Sequence, residues 1–512
     1  MIKDKTVLCA ILCAAIGSFL YGLLAFSVIL PQPYPDFGSD IYNAYFYRLL
    51  EGRFDLPLRM LNREGHYSAD GTGILYHGIA PLLTRAVLHP FVALNQFPTA
   101  AFSIWLWATI GTGFYHLAAF QVVRKYAGQI PMIWVVMGGA AIWICSPGFL
   151  LSTTTVLYNE PISVAYAAMA GAFYLMVRCA LFGMTWRSAL VPAALLAGVT
   201  LHARPHMAVG LYAGVGAMIA FAFWNDKRRA LMPAIVSLAI LGVVGLSFMQ
   251  LNSLRFGSAT ATHGKIGGSD DNSQVQFGPV FFGTDYAING RGVVFAEHGR
   301  FHPWRILPNA LVYVLDYPAA GTQIETLHRK VTESISGNGF LEKPRYGMLF
   351  IWSAWIALML VGLIAGRPRI SGGMRALPLL LATGIAAGLM LSYPTVTIRY
   401  RFDVWPFVMA LCLLSLPGLF LRFSPNVLRN TRVVLLSLFL VLGGALTSAS
   451  VTIPFIVGYQ TAPGFSYEAW DAEMCRTLLA GKEFTPARLD ELCVDPESVF
   501  EQRSKGWRRG NN

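Results

Sequence analysis

The chain has 512 residues, 55% of them hydrophobic and only 13% charged, whereas soluble domains carry roughly 25% charged residues. Such a deficit cannot be spread over a soluble surface. The formal charge of +12 would suit nucleic acid, but the basic residues form short clusters between apolar runs. They read as topology signals, and no nucleic-acid partner is expected.

Apolar runs of about 20 residues recur from Thr6 to Pro454, each long enough to cross a hydrocarbon core of about 30 Å as a helix. They predict an all-α polytopic membrane protein with about eleven transmembrane helices. The spans fall near 6–30, 98–123, 130–149, 162–182, 188–203, 206–224, 230–251, 346–366, 375–393, 404–422 and 432–453. The first follows MIKDK and is longer than a signal-peptide core, so it reads as a retained helix. An odd count puts the termini on opposite sides. With the N-terminus in the cytoplasm, Lys3, Lys5, Arg124, Lys125, Arg187, Lys227 to Arg229, Arg367 to Arg375 and Arg422 to Arg432 all lie inside, as positive charge should.

Residues 1–453 then form one membrane module, with 31–97 a first outer loop, 252–345 a large outer loop and 454–512 a small outer tail. Ile74 to Leu94 is apolar but broken by Pro81, Arg85 and Pro90, which predicts a helix along the membrane surface. Pro303 to Tyr317 predicts another. Between them, GSATATHGKIGGSDDNSQ has the low hydrophobicity of a mobile loop. No internal repeat, Walker loop or zinc-type spacing is present, so the chemistry is expected in the outer segments.

Of seven cysteines, Cys9, Cys13, Cys145, Cys179 and Cys412 lie in apolar runs and read as small core hydrophobes. Cys475 and Cys493 sit in the polar tail. They are candidates for a disulfide in an oxidising outer compartment, or for two reduced thiols packed in a small helical tail.

Four outer segments carry candidate chemistry. In PDFGSDIYNAYFYRLLEG, Asp40 opens a helical pattern, as an N-cap, a general base or both. Asp36, Asp55, Glu64 and Asp70 are neighbouring acids, and His66 and His77 could orient a base, bind a metal or be plain surface histidines. In SYPTVTIRYRFDVWPF, placing Arg399 and Arg401 at a bilayer centre would cost about 2.5–3.5 kcal/mol each, so they belong at the outer rim. If that stretch is extended, both guanidinium groups point the same way and form a clamp for phosphate oxygens; otherwise they are membrane-edge anchors or partners of Asp403. Glu160 in VLYNEPIS, with Arg204 and His206 in LHARPHMAV, are candidates to line the same cavity, or ordinary turn residues.

These residues resemble the GT-C superfamily, the polyprenyl-phosphate-sugar-dependent glycosyltransferases that include protein mannosyltransferase and aminoarabinose transferase relatives. The likeness rests on Asp40 in the first outer loop, ARPHMA at Arg204, LNSLRFGSA at Asn252 and RYRFDVWPF at Arg399. It implies a GT-C-like bundle in which Asp40 is the catalytic base and Arg399, Tyr400 and Arg401 bind the donor phosphate. The chain departs from the mannosyltransferases in having Ile41 after Asp40, and from the common pattern in having Asp403 where a proline usually follows. The resemblance further implies a bacterial inner-membrane location, with the active site and C-terminus facing the periplasm.

The implied reaction is attack by an acceptor hydroxyl on the anomeric carbon of a sugar held on polyprenyl phosphate. The acceptor is a lipid, glycan or protein. Asp40 would remove the hydroxyl proton, and the arginines would stabilise the leaving phosphate, so no general acid is needed. A single displacement inverts the anomeric centre. No metal site is assigned, and a divalent cation is left open. The alternatives are a secondary transporter or lipid flippase, which should show midplane ionisable groups and related halves, and a scaffold protein, which has no need of clustered acid and arginines. A cysteine probe placed at Gly268 should be modified from the outer side and one at Gly373 should not; the reverse pattern would move the candidate site to the wrong face.

Overall fold

A computed structural model describes residues 4–29, 41–61, 64–128, 130–266, 272–283, 291–337, 340–341, 346–365, 371–423, 425–461 and 472–493. Its first half holds α1 (Lys5–Ala25), α2 (Ile41–Leu50), α3 (Leu58–Leu61), α4 (Leu82–Leu88), α5 (Thr99–Ala127), α6 (Met132–Trp143), α7 (Pro147–Leu151), α8 (Asn159–Phe182), α9 (Trp186–Ala203), α10 (Pro205–Asn225) and α11 (Lys227–Phe256). Next come the short helices α12 (Gly278–Phe281), α13 (Arg291–His298), α14 (Ile306–Leu315), α15 (Gly321–Ser336) and α16 (Met348–Ile351). The remaining helices are α17 (Ser353–Ala365), α18 (Leu377–Leu391), α19 (Arg401–Arg422), α20 (Thr431–Thr461), α21 (Ala472–Leu479) and α22 (Pro486–Leu492).

Every predicted span is occupied by helix where it is described, and among the described residues seven helices are long and apolar enough to cross a membrane. Two predicted spans are interrupted. The run 130–149 divides into α6 and α7 because Ser146 precedes Pro147 and is held extended, the conformation a following proline imposes. The run 346–366 divides into α16 and α17 at Trp352. Helix α20 continues to Thr461, past the expected module boundary at 453.

Burial follows the logic of a lipid solvent. Helix α8 is almost wholly enclosed, and α19 buries most of its length. By contrast, α1 exposes Leu8, Ile11, Leu12, Ile16 and Phe19, α11 exposes Met232, Leu238, Val243 and Leu246, and α20 exposes Leu435, Leu436, Phe439 and Leu446. Long apolar stripes on the outside of a folded bundle are what hydrocarbon, and not water, would cover. Small residues let the helices approach closely. Gly111 faces the Tyr166 ring and the Ala167 backbone, and Gly210 faces the Ala382 carbonyl.

The segments between the long helices depart from an all-helical expectation. Strands β1 (Asp55–Leu56), β2 (His66–Tyr67), β3 (Gly73–Ile74) and β4 (Gln276–Phe277) form a small antiparallel sheet in the order β1-β3-β2-β4. A second, parallel pair joins β5 (Phe340–Leu341) to β6 (Thr395–Val396). The surface helix predicted over 74–94 is reduced to α4, which starts after Pro81 and stops before Pro90; the chain before it is held in β3. The Gly-rich run predicted to be mobile is hydrogen-bonded where it is described. Lys265 N–H donates to the Val275 carbonyl and Gln274 N–H to the Phe256 carbonyl. The helix predicted over 303–317 forms as α14 with a preceding turn of 3₁₀ helix.

A disulfide joins Cys475 and Cys493, and it ties α21 to the end of α22 in one apolar cluster with Tyr42, Tyr45, Leu56 and Tyr67. Arg488 donates to the Asp70 carbonyl at 3.0 Å and to Thr72 Oγ1 at 3.3 Å. The tail is thereby clamped on the β2–β3 turn.

Because a Cβ on Gly210 would fall well inside contact distance of the Ala382 backbone, Gly210→Val should force α10 and α18 apart and destabilise the protein by about 1–3 kcal/mol. A thermal melt in detergent should reveal it; an unchanged midpoint would mean that the two helices are not tightly apposed.

Candidate functional site

Five segments far apart in sequence meet at one end of the bundle. The first contribution is the corner between α9 and α10. Arg204 alone breaks the two helices, in extended backbone, and Pro205 at the first position of α10 requires no N–H partner. This turns Arg204 and His206 toward α19. There Arg204 Nη2 donates to Asp403 Oδ2 at 2.6 Å, and His206 Nε2 lies 3.0 Å from the same oxygen. The Asp403 side chain is 1% exposed. An arginine and a histidine on one enclosed carboxylate oxygen fix the α9–α10 corner to the first turn of α19.

The second contribution is the RYRF motif, where the extended clamp expected for Arg399 and Arg401 does not form. After β6 the chain enters a 3₁₀ turn over Ile398–Tyr400, and Arg401 begins α19. Residues two apart on a helical turn point to nearly opposite sides. Arg399 lies over the Tyr158 ring at 4.1 Å, while Tyr400 stacks beneath Arg204 at 5.5 Å. Arg401 turns inward, 5% exposed, and its Nε donates to the Ile398 carbonyl at 3.4 Å. It lines a small cavity of about 20 Å³ with Ser146, Trp352, Phe402 and Ser448, and among the described residues it meets no carboxylate at ion-pair distance.

Glu160 opens α8, but it does not present a free carboxylate. Arg85 of α4 grips both of its oxygens in a fully buried ion pair. Arg85 Nε also donates to Asn43 Oδ1 at 3.0 Å, and Asn43 Nδ2 donates to the Leu94 carbonyl at 3.1 Å. Deleting one partner of such a pair costs about 3–5 kcal/mol, because the other charge stays buried. Asp55 is likewise engaged: Arg53 donates to its two oxygens at 2.8 and 2.6 Å at the edge of the sheet.

His66 and His77 belong to an aromatic stack. The ring of His66 lies 4.5 Å from Tyr76 and 4.3 Å from His263. His77 lies 3.9 Å from Tyr76 and 5.1 Å from Tyr158, which links the stack to Arg399. Neither ring nitrogen of His66 or His77 has a hydrogen-bond partner among the described residues. Burial drives both histidines well below the ordinary 6.5; for His77 the Arg399 charge adds to this, and for His66 the neighbouring His263 does. Arg255, near the end of α11, donates to the Leu75 and His77 carbonyls at 3.2 and 3.1 Å and to Asn252 Oδ1 at 3.1 Å. It pins the strand that carries the stack, and it too lacks a carboxylate partner among the described residues.

Arg85, Arg255, Tyr158, Tyr76 and His263 were not singled out by sequence reasoning. The one usable signal was position: Arg85 interrupts an apolar run and Arg255 ends a span. Asp36 and Asp40 lie outside the described residues. Among those described, no group of three or more His, Cys, Asp or Glu residues is placed to hold a metal ion.

No protein-family model matches the chain, and no curated protein matches it. Solved structures similar to the chain include three at low identity. One is the oligosaccharyltransferase AglB from Archaeoglobus fulgidus, bound to an inhibitory peptide and a dolichol-phosphate: 12% identity, TM-score 0.46, over 88% of this chain and 56% of that one. Another is the same organism's oligosaccharyltransferase in the apo form: 14% identity, TM-score 0.48, over 95% and 59%. The third is ArnT from Cupriavidus metallidurans bound to undecaprenyl phosphate: 12% identity, TM-score 0.43, over 93% and 81%. The chain thus spans under two thirds of the length of either oligosaccharyltransferase. Overlaps this loose assign neither an activity nor a site residue to it.

Protonating a buried, unpartnered histidine is opposed by the fold, so the unfolded chain takes up protons first as pH falls. Stability from His66 and His77 should be complete above about 6.5 and decline below it, by about 1.4 kcal/mol per pH unit for each histidine until its lowered folded pKa is reached. Melting temperatures from pH 7.5 to 5 should fall for the wild type and fall less for His66→Phe and His77→Phe; parallel curves would contradict the buried neutral state.

Proposed function

We propose that the protein is a glycosyltransferase that moves a sugar from a polyprenyl-phosphate donor to an acceptor hydroxyl at the outer face of the membrane. The observation that supports this most is the convergence of the first outer segment, Tyr158, the Arg204 corner, Arg255 and the Arg399 turn at one end of the bundle, where cations gather around aromatic rings. Arg255 and Arg401 are not neutralised by any described carboxylate at ion-pair distance, and such a field favours an anionic head group. In this reading Arg399, its planar guanidinium over the Tyr158 ring, takes the phosphate oxygens in charge-assisted hydrogen bonds. Arg401 adds fixed positive charge behind the turn, and Tyr400 keeps Arg204 in place. The lipid tail would run between apolar helices with its phosphate at the rim.

The leaving group is a phosphate monoester, so its departure needs charge stabilisation and little protonation. The acceptor hydroxyl needs a base. Glu160 and Asp55 give both oxygens to an arginine, and Asp403 gives its Oδ2 to Arg204 and His206, so each already serves a cation. The resemblance in the first outer loop assigns the base to Asp40. A single displacement would invert the anomeric centre.

Asp40→Asn should lower turnover by about 10²-fold or more and leave polyprenyl-phosphate binding nearly intact, since shape is kept and only the base is lost. Arg399→Ala should weaken donor binding by about 10-fold or more, the loss of one charge-assisted contact of about 1.5–3 kcal/mol, and Arg399→Lys should rescue only part of it. Binding measured with undecaprenyl phosphate and transfer measured with its sugar-loaded form separate the two effects. Near wild-type transfer by a well-folded Asp40→Asn would remove Asp40 from the mechanism, and unchanged donor binding by Arg399→Ala would remove Arg399.

A further inference from the structure

On its outer side the sheet forms the floor of a second, separate cleft. Across β1-β3-β2-β4, Asp55, Ile74, His66 and Phe277 stand in register, as do Leu56, Gly73, Tyr67 and Gln276. Side chains alternate between the faces of a strand. One face therefore turns His66 and Phe277 to the aromatic stack, and the other turns Gln276 outward. On that outward side lies a cleft of about 340 Å³, lined by Lys265, Gln274, Gln276 and Phe281 and, from the disulfide-tied tail, by Lys482, Glu483 and Phe484. Its volume is at the lower end of the roughly 300–1,000 Å³ of ligand pockets.

The lining chemistry is selective. Two carboxamides each offer donors and an acceptor, which matches the paired hydroxyls of a sugar. Lys482 Nζ rests over the Phe281 ring at 4.0 Å, which fixes the ammonium at the cleft wall. Neither lysine reaches a carboxylate at ion-pair distance among the described residues, and among the described lining residues two ammonium groups, of Lys265 and Lys482, accompany one carboxylate, that of Glu483. An extended peptide is disfavoured, because the β4 edge that it would pair with is already taken: Lys265 N–H donates to the Val275 carbonyl, and the Lys265 carbonyl accepts from Phe277 N–H.

We propose that this cleft binds a sugar unit bearing an anionic group, as a subsite for a glycan acceptor one sheet thickness away from the histidine and arginine cluster. Calling the glycan an acceptor rests on the glycosyltransferase reading; the binding itself does not. The tail, clamped by Arg488 on the β2–β3 turn and closed by the Cys475–Cys493 disulfide, supplies the outer wall.

The full chain in lipid nanodiscs can be titrated with tetragalacturonate, glucose 6-phosphate, neutral maltotetraose and a tetraglutamate peptide. At least one anionic sugar should bind, more weakly as salt rises, and about 10-fold or more tighter than maltotetraose and the peptide. Lys265→Ala and Lys482→Ala should each weaken that binding by about 10-fold, Lys482→Arg should restore most of it, and undecaprenyl-phosphate binding should be unchanged in all three variants. The carboxylate and phosphate probes identify which anion the cleft prefers. The proposal is overturned if neither anionic sugar binds, if the peptide or the neutral sugar binds as tightly, or if both alanine variants bind like the wild type. Should the sugar bind as expected while undecaprenyl phosphate does not, the cleft stands and the transferase reading falls.

Discussion

The contact of Arg204 and His206 with Asp403 Oδ2, across nearly two hundred residues of sequence, holds together the end of the bundle where the candidate site lies. It connects a helix corner that exists only because Arg204 breaks α9 from α10 to the first turn of the almost fully enclosed α19. With that turn fixed, Arg399 is delivered to Tyr158 and Arg401 to the interior. Tyr158 in turn stands at the start of α8, two residues before Glu160, so the Arg85–Glu160 pair and the Arg399 turn act on the same helix end. In a medium without water these polar groups have no solvent to turn to, and they satisfy one another at the rim.

The small sheet is built as a layer over this end of the bundle. Arg255 reaches from α11 to the carbonyls of Leu75 and His77, which carries the sheet across the histidine stack. The sheet then receives the tail on its other side through Tyr67, Phe281 and the disulfide-linked helices. One small sheet therefore has two chemical faces: an aromatic and histidine face toward the arginines, and a face on which Leu56 and Tyr67 pack against the tail while Gln276 borders the cleft. This arrangement explains how short strands are tolerated in a mostly helical chain. They are held from both sides by buried side chains, since pairing of two-residue strands is too weak to stand alone.

Much of the architecture was legible because the bilayer imposes a simple rule on composition. Long apolar runs had to be helices, so helical segments could be read from hydropathy, and the cost of charge in hydrocarbon drew attention to Arg399 and Arg401. Cys475 and Cys493 stood out by lying in the polar tail. The breaks at Pro147 and Pro205 were encoded locally as well, through the fixed φ of proline and its effect on the residue before it.

What the tertiary structure alone decided was which charges meet and which way they face. Glu160 looked like a free acid at a turn, and only the approach of α4 to α8 shows that Arg85 occupies it. The Arg399 and Arg401 side chains diverge because the chain takes a helical turn where an extended one would have aligned them, and a difference of one local conformation reverses a side chain's direction. The roles of Arg255, Tyr158 and His263 depend on contacts between segments far apart in the chain, for which a single sequence carries no periodic or compositional signal. Hydropathy is a sum over neighbours along the chain and survives any packing; an ion pair or a ring stack is a property of two positions brought together, and it exists only once the packing is known.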